Sequence, residues 1–238
     1  MVGEPLYLDS GNTRLKWSFR GNVGVFVDDA ELIDFAVKHD IKQIVLATVT
    51  LRYTQLRLLD LLPELAVCEL KVVNNCLGLA LAYSDISKLG VDRWLNMLAV
   101  IEESHSKVNI VVSMGTAMTV DVVDNQKTHL GGYIVPGLAT QALSLNQHAA
   151  ALPIVGIGRQ TRLGSNTYEC ISNGVLKSSC ALVESLASEW PVGSVGVTVT
   201  GGDGAYLSES LSIQHTFHES LIFEGMRAYW QSYKKTLG

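Results

Sequence analysis

The first twenty residues of the chain alternate apolar and polar positions in the way that two paired strands do. Residues 6–9 (LYLD) form a short apolar run, and the turn SGNT follows. Residues 14–20 place Leu15, Trp17 and Phe19 on one face and polar side chains on the other. Since side chains alternate with a period of two along a strand, this pattern predicts a strand, a tight turn and a second strand.

Longer apolar runs follow, and they predict further strands and helices. Residues 41–49 (IKQIVLATV) predict a buried strand, and residues 51–62, with leucines at helical spacing, predict the helix after it. Val72 and Val73 predict the start of another short strand. In the segment DRWLNMLAVIEES the apolar residues form one helical stripe, and Asp92 occupies the position of an N-cap.

The second half of the chain repeats the opening pattern. NIVV at 109–112 is apolar, SMGT follows as a turn, and AMTVDVV at 117–123 alternates like a strand. Residues 9–13 and 113–117 align at an offset of 104 residues. A strand, a small-residue turn and a strand that recur at nearly half the chain length indicate two duplicated α/β domains.

We therefore predict an N-terminal domain at 1–106 and a C-terminal domain at 107–238, joined by a short boundary near residues 104–108. A further strand at 195–200 runs into GGDG and a helical stretch. The amphipathic segment 219–235 predicts a packed C-terminal helix.

Composition and charge exclude several classes of protein. The net charge is −5 and no Lys/Arg block is longer than a pair, which argues against a nucleic-acid binder. Mean hydropathy is +0.23, but every apolar run is interrupted before about 18 residues, so we predict no membrane span. The N-terminus lacks the features of a signal peptide, which favours the cytoplasm.

The four cysteines show no C-x-x-C spacing and no paired histidines at zinc-site distances. We therefore expect reduced thiols, most of them buried, and neither a metal site nor a redox pair at Cys68, Cys76, Cys170 and Cys180.

The repeated turns are candidates for binding phosphate. A strand that ends in a turn of small residues points several backbone N–H groups in one direction, and such groups bind anionic oxygens. In the first turn, Gly11 would let the backbone approach a phosphate and adopt dihedral angles closed to other residues. Lys16 can reach the phosphates, and Asp9 can hold Mg²⁺ directly or through water. For DSGNT alone, an ordinary hairpin turn remains the alternative.

Other nucleotide-binding signatures are missing, and the remaining polar concentration is LGVDRW at 89–94. The chain contains neither G-x-x-x-x-G-K-[ST] nor a complete G-x-G-x-x-G. Phosphoryl transfer needs a carboxylate that orients the attacking hydroxyl and accepts its proton, and Asp92 can supply it. Arg93 can pair with a substrate carboxylate or with the transferred phosphoryl group. The alternative is a helix cap beside a surface arginine.

Several motifs, taken in order, resemble the type III pantothenate kinases, which belong to the acetate-and-sugar-kinase/actin-like superfamily. The similar segments extend from residue 6 to about residue 207, and the ordered set is more specific than any one motif. They are DSGNTRLKW (9–17), GVDRW (90–94), SMGTA (113–117), HLGGYIVPG (129–137), ALP (151–153), LGSNT (163–167) and TGGDG (200–204).

The resemblance implies an α/β fold of two duplicated ribonuclease-H-like (actin-like ATPase) domains with a nucleotide cleft between them. It also implies ATP-dependent phosphorylation of pantothenate, the first step toward coenzyme A, with Asp92 as general base and Mg²⁺ as cofactor. Family members are homodimers, so a homodimer is implied here. The implied ATP-binding residues are Asp9 (which would also hold Mg²⁺ through water), Ser10, Gly11, Asn12, Thr13, Arg14, Leu15, Lys16 and Thr116. The implied pantothenate-binding residues are Tyr83, Gly90, Val91, Asp92, Arg93 and Thr167.

The chain departs from the family at Ser113, where the family has an aspartate associated with an activating monovalent cation, K⁺ or NH₄⁺. A hydroxyl cannot replace the charge of a carboxylate at a cation site. Three outcomes are open: activity without the cation, weak activity with the cation held by carbonyl groups, or a homologue that has lost turnover. Asp121 can compensate, whereas Asp124 is expected in a turn. The alternatives to a pantothenate kinase are a catalytically weak regulatory protein and a kinase for another small hydroxyl acceptor.

Overall fold

The computed structural model describes residues 4–104, 106–149 and 151–237, so His105, in the predicted boundary, lies outside the described residues. The strands are β1 Leu6–Ser10, β2 Leu15–Phe19, β3 Asn22–Phe26, β4 Gln43–Thr48, β5 Ala66–Glu69, β6 Val108–Met114, β7 Ala117–Asp124, β8 His129–Pro136, β9 Val195–Thr200 and β10 Thr216–His218. The helices are α1 Asp29–Lys38, α2 Gln55–Leu61, α3 Val91–Glu103, α4 Leu138–His148, α5 Thr167–Ala187, α6 Gly204–Ser210 and α7 Leu221–Leu237. A 3-10 turn spans Ile86–Lys88.

The chain forms two compact units that each contain one five-stranded sheet. The first sheet has the order β3-β2-β1-β4-β5, in which β3, β2 and β1 are antiparallel and β1, β4 and β5 are parallel. Read from its other edge, the second sheet has the order β8-β7-β6-β9-β10, in which neighbours from β8 to β6 are antiparallel and neighbours from β6 to β10 are parallel, as in the first sheet. The two sheets therefore match strand for strand, which confirms the predicted duplication.

The strand register also reproduces the sequence offset. Asp9 is the next-to-last residue of β1 and pairs with Lys16 on β2. Ser113 is the next-to-last residue of β6 and pairs with Thr119 on β7. The two candidate phosphate turns therefore follow equivalent strands.

The units differ from the continuous ranges 1–106 and 107–238. Unit 1 contains the described residues up to Leu77, then Tyr83–Ala99 and the chain from Ile222 onward, and unit 2 contains Gly78–Ala82 and Val100–Leu221. Helix α7 belongs to unit 1 because its buried Gly225 packs directly on the backbone of α3.

The core of unit 1 lies on one face of its sheet. Leu6 and Leu8 of β1 pack with Leu15 of β2 and with Leu32 of α1. Side chains alternate across a strand, so Tyr7 and Asp9 on β1, with their register partners Ser18 and Lys16 on β2, lie on the opposite face. This second face carries the polar chemistry of unit 1.

Most of the predicted elements are present, with shifted ends. The helix predicted at 51–62 is confirmed but begins at Gln55, because the Thr54 side chain accepts the Arg57 N–H and caps it. The strand predicted at Val72 and Val73 is wrong, since β5 pairs with β4 earlier in the chain.

The expectation that most cysteines are buried is also wrong, because Cys180 is buried, Cys68 and Cys76 are half-buried and Cys170 is exposed. Within the described residues, no helix is both long enough and apolar enough to cross a bilayer.

Candidate active site

The first candidate phosphate site is a hairpin turn between β1 and β2. The Gly11 N–H donates to the Arg14 carbonyl at 3.2 Å, and the residues from Asn12 to Arg14 are exposed. Gly11 does not adopt a positive φ, and a Cβ placed on it would lie 3.7 Å from its nearest neighbour. The expectation that Gly11 needs dihedral angles closed to other residues is therefore wrong, and space for an approaching ligand is the reason that remains for a glycine here.

Asp9 carries the carboxylate of this hairpin, and its pKa is strongly perturbed. Burial raises its pKa to about 6, the Lys16 ammonium lowers it and the Asp92 carboxylate raises it. Two carboxylates and one ammonium therefore influence one another at the end of β1. Since the pKa lies below neutral pH, Asp9 is mostly ionised there and can act as an oxygen ligand for a divalent cation.

Asp92 lies in the first turn of α3. The Gly90 carbonyl accepts the Trp94 N–H at 3.1 Å, so the helix begins at Val91 and Asp92 is its second residue. The prediction of Asp92 as the N-cap is therefore wrong by two positions, because Gly90 fills that role. A Cβ on Gly90 would overlap the Asp92 Oδ1, so glycine leaves room for this carboxylate.

Arg93 is buried rather than on the surface, with 4% of its area exposed. Its Nη1 donates to the Tyr83 hydroxyl at 2.8 Å, and the guanidinium lies 5.7 Å from the centre of the Tyr83 ring. Since burying a charge without partners is costly, the buried guanidinium of Arg93 requires polar contacts such as this one. The interpretation of Arg93 as a surface residue is therefore wrong, and the structure brings it together with Tyr83, ten residues earlier in the chain.

In unit 2, the second candidate turn is held by glycines from two other segments. Gly115 donates to the Ala117 carbonyl at 3.0 Å, and Thr116 is exposed. A Cβ on Gly137 would overlap the Gly115 carbonyl, and Gly201, with φ +97°, lies against the Met114 backbone. The motifs HLGGYIVPG and TGGDG thus pack backbone against the turn. This packing role was not predicted from the sequence, although the glycines of both motifs were the available signal.

Thr167 begins helix α5 in unit 2 and is exposed. Asn166 caps the helix by accepting the Glu169 N–H at 3.1 Å. A Cβ on Gly164 would overlap the backbone at Cys170, so the LGSNT segment folds closely against the first turn of α5. Thr167 is therefore presented at a helix N-terminus, where anionic oxygens bind favourably.

Ser113 lies beside two other hydroxyl residues. It pairs with Thr119 on β7 and Thr200 on β9, so its neighbours in register are neutral. The buried Asp121 bonds to His129 at 3.1 Å, and Asp124 accepts the N–H groups of a turn, as expected.

Both carboxylates are thus engaged in other contacts. Over the described residues, no group of three His, Cys, Asp or Glu side chains is arranged for a metal. Ser113 supplies no carboxylate, and Asp121 and Asp124 are engaged elsewhere. The residues around position 113 therefore do not fit a cation site that needs a carboxylate there.

Comparison with known sequences identifies the family of this chain. The sequence profile of the type III pantothenate kinases matches residues 5–189. A type III pantothenate kinase of Marinobacter nauticus is 34% identical over 235 residues, which cover 93% of this chain and 96% of that protein. One from Acinetobacter baumannii is 30% identical over 246 residues, covering 97% of this chain and 98% of that protein.

Comparison with solved structures supports the fold. A proposed Baf family transcriptional activator of Campylobacter jejuni has a TM-score of 0.67 at 20% identity, covering 97% of this chain and 99% of that chain. A proposed 2-dehydro-3-deoxygalactonokinase of Sinorhizobium meliloti has a TM-score of 0.54 at 10% identity, covering 98% and 99%. With the matching sheets, these likenesses confirm the predicted α/β fold of two duplicated ribonuclease-H-like domains.

Proposed function

Since this chain belongs to the type III pantothenate kinase family, it is an ATP-dependent kinase of coenzyme A biosynthesis that acts on pantothenate, and we propose that Asp92 is its general base. The observation that carries this proposal is the position of Asp92 in the first turn of α3, where Gly90 leaves room for its carboxylate and its charge acts on Asp9 at the end of β1. One carboxylate would serve the acceptor hydroxyl, and the other would serve the phosphate side of the reaction.

The proposed chemistry follows from the demands of phosphoryl transfer. The transition state is loose and spreads charge over the transferred oxygens, so catalysis rests on positioning and electrostatic stabilisation. Asp92 would orient the pantothenate hydroxyl toward the γ-phosphorus and accept its proton as the new O–P bond forms and the bond to ADP breaks. Lys16 and the backbone N–H groups of the first turn would stabilise the phosphate charge.

We propose that Asp9 holds Mg²⁺ through water. Its carboxylate is partly buried, lies next to Lys16 and is mostly ionised at neutral pH, which suits a hard cation with oxygen ligands. When bound, Mg²⁺ would neutralise part of the triphosphate charge.

The remaining site assignments are proposals that rest on the family motifs. Arg93 would bind the carboxylate of pantothenate, and its bond to Tyr83 supports an arrangement in which both residues contact that substrate. For ATP we propose the turn from Asp9 to Lys16, namely Asp9, Ser10, Gly11, Asn12, Thr13, Arg14, Leu15 and Lys16, together with Thr116. For pantothenate we propose Tyr83, Gly90, Val91, Asp92, Arg93 and Thr167.

We also propose a homodimer, as in the family. Leu130, Tyr133 and Ile134 on the edge strand β8 are exposed, and exposed apolar side chains along a sheet edge suit an interface. Light scattering would test this proposal, because a monomeric mass at assay concentration contradicts it.

A regulatory protein without turnover is not favoured, because the carboxylates, the lysine and the buried arginine of the site are all present. The test is an ADP-release assay with ATP and Mg²⁺ and a panel of acceptors that includes pantothenate, a hexose and acetate. We expect release only with pantothenate. Release with another acceptor alone, or with none of them, overturns the proposed function.

A further inference from the structure

Helix α7 is the last helix that the structure describes, yet it packs in unit 1 among the elements that carry the proposed catalytic groups. Its buried Gly225 lies directly against α3, since a Cβ there would overlap the carbonyl group of Leu95. The Tyr229 ring packs edge-on against Trp94, with the ring centres 5.3 Å apart. The part of α3 that α7 touches thus begins two residues after Asp92.

The same helix also contacts the sheet of unit 1. Arg227 donates from Nη2 to the Ser18 hydroxyl at 2.5 Å, and its guanidinium lies 5.6 Å from the centre of the Tyr7 ring. Its Nη1 bonds to Glu224 at 2.8 Å, which fixes the side chain against its own helix. Tyr7 and Ser18 are register partners on β1 and β2.

The residues that α7 contacts lie two or three positions along the chain from the proposed catalytic groups. Tyr7 precedes Asp9 by two residues, and Ser18 follows Lys16 by two, so all four share one face of the sheet. Leu95 follows Asp92 by three residues, within about one helical turn. One helix, distant in sequence, therefore contacts both elements that carry the proposed catalytic groups, namely α3 and the β1–β2 hairpin.

We propose that Gly225 and Arg227 are positioning residues, which set the distance between Asp92 on α3 and the Asp9–Lys16 pair on the sheet. The proposal rests on the proposed function. The residues proposed to bind ATP and pantothenate keep their places on their own strands and helices. A shift of α7 therefore leaves substrate binding largely intact but misaligns the acceptor hydroxyl relative to the phosphate. A misplacement of about 1 Å can lower the rate about 10²-fold.

Gly225→Ala is the first test, and Gly174→Ala is its matched control. Gly174 is also inside a helix, α5, but a Cβ there would meet nothing within 4 Å. We expect kcat of Gly225→Ala to fall about tenfold or more, with KM for ATP and pantothenate changed by less than about twofold. The control should keep the kcat of the unmodified chain.

Arg227→Met and Arg227→Lys form a second pair that does not depend on a helix collision. We expect the Met variant to lose kcat and the Lys variant, which retains a charged donor, to regain part of it. The proposal is overturned if kcat of both Gly225→Ala and Arg227→Met stays within about threefold of the control. It is also overturned if circular dichroism shows that lost folded protein accounts for the whole loss, or if KM rises while kcat is unchanged.

Hydrogen exchange separates this proposal from the proposed function. If the unmodified chain and the Gly174→Ala control do not phosphorylate pantothenate, the proposed function fails. Positioning by α7 still requires faster amide exchange in the first turns of α3 for Gly225→Ala than for Gly174→Ala, and equal exchange overturns it.

Discussion

At the scale of single residues, the Asp92 carboxylate has the most direct chemical role in the proposed reaction. Replacing it with asparagine keeps the size and removes the proton acceptor. We expect Asp92→Asn to retain the fold and to lose turnover about 10²-fold or more, which is the scale of acid–base catalysis. Steady-state ADP release measures the loss, and Asp60→Asn, at an exposed position on α2, is the matched control. Turnover within about threefold of that control would remove Asp92 from the base role.

Asp9 has a raised pKa, so its ionised form lowers stability, although the proposed reaction uses that form. Its folded pKa of about 6 lies above the ordinary value of 3.8, so the folded protein binds this proton more tightly than the unfolded chain. Stability from Asp9 is therefore fully present below the ordinary pKa and is lost as the pH rises through the folded value. At neutral pH the buried, ionised carboxylate destabilises the fold, and we propose that it serves there as a ligand for Mg²⁺.

We therefore expect Asp9→Asn to raise the free energy of unfolding by about 1–3 kcal/mol at about pH 8, while abolishing most activity. Near pH 4 the gain should shrink, because Asp9 is then mostly neutral in the folded protein. Urea unfolding at both pH values measures this difference. An equal gain at both would show that ionisation of Asp9 is not its origin.

We propose that the residue at position 113 governs whether the kinase needs a monovalent cation. Because Ser113 and its neighbours Thr119 and Thr200 are neutral, we propose that turnover does not depend on K⁺. We expect equal rates in K⁺ and in a large organic cation. In Ser113→Asp the new carboxylate should create K⁺ stimulation, and the uncharged Ser113→Asn should not. Strong K⁺ dependence of the unmodified chain would contradict this proposal.

At the scale of elements, the strands that follow a strict pattern could be predicted, and those that depend on tertiary packing could not. The β1–β2 hairpin follows from its alternation and from the turn residues. The strand expected at Val72 lies instead at Ala66–Glu69, because pairing with β4 outweighs the local preference of two valines. Helix α3 begins before the position that the Asp92 pattern predicts, because glycine is also a favourable N-cap residue and the Gly90 carbonyl accepts the first helical bond.

Glycines at the second turn give a prediction about this element. Gly201 has a positive φ and lies against the Met114 backbone, whereas a Cβ on Gly202 meets nothing within 4 Å. We expect Gly201→Ala to lower the free energy of unfolding by about 2 kcal/mol or more, and Gly202→Ala to change it by less than about 1 kcal/mol. Thermal or urea unfolding measures both. Equal effects would contradict the close packing of this turn.

At the scale of the whole molecule, the duplication was visible in the sequence, whereas the packing of α7 with the N-terminal elements was not. The offset between Asp9 and Ser113 is a local repeat, and the two sheets reproduce it. Helix α7 packs in unit 1 because Gly225, which has no side chain, allows close contact with α3, and because Arg227 donates to Ser18. Contacts between segments so distant in sequence leave no periodic signal.

The assignment to the type III pantothenate kinases is tested most directly by identifying the product. The protein is incubated with ATP, Mg²⁺ and pantothenate, and the mixture is analysed by phosphorus NMR and mass spectrometry. The expected result is one phosphomonoester on the pantothenate hydroxyl, formed in equal amount with ADP. Unmodified pantothenate after full incubation, whether or not ADP has been released, would contradict the account.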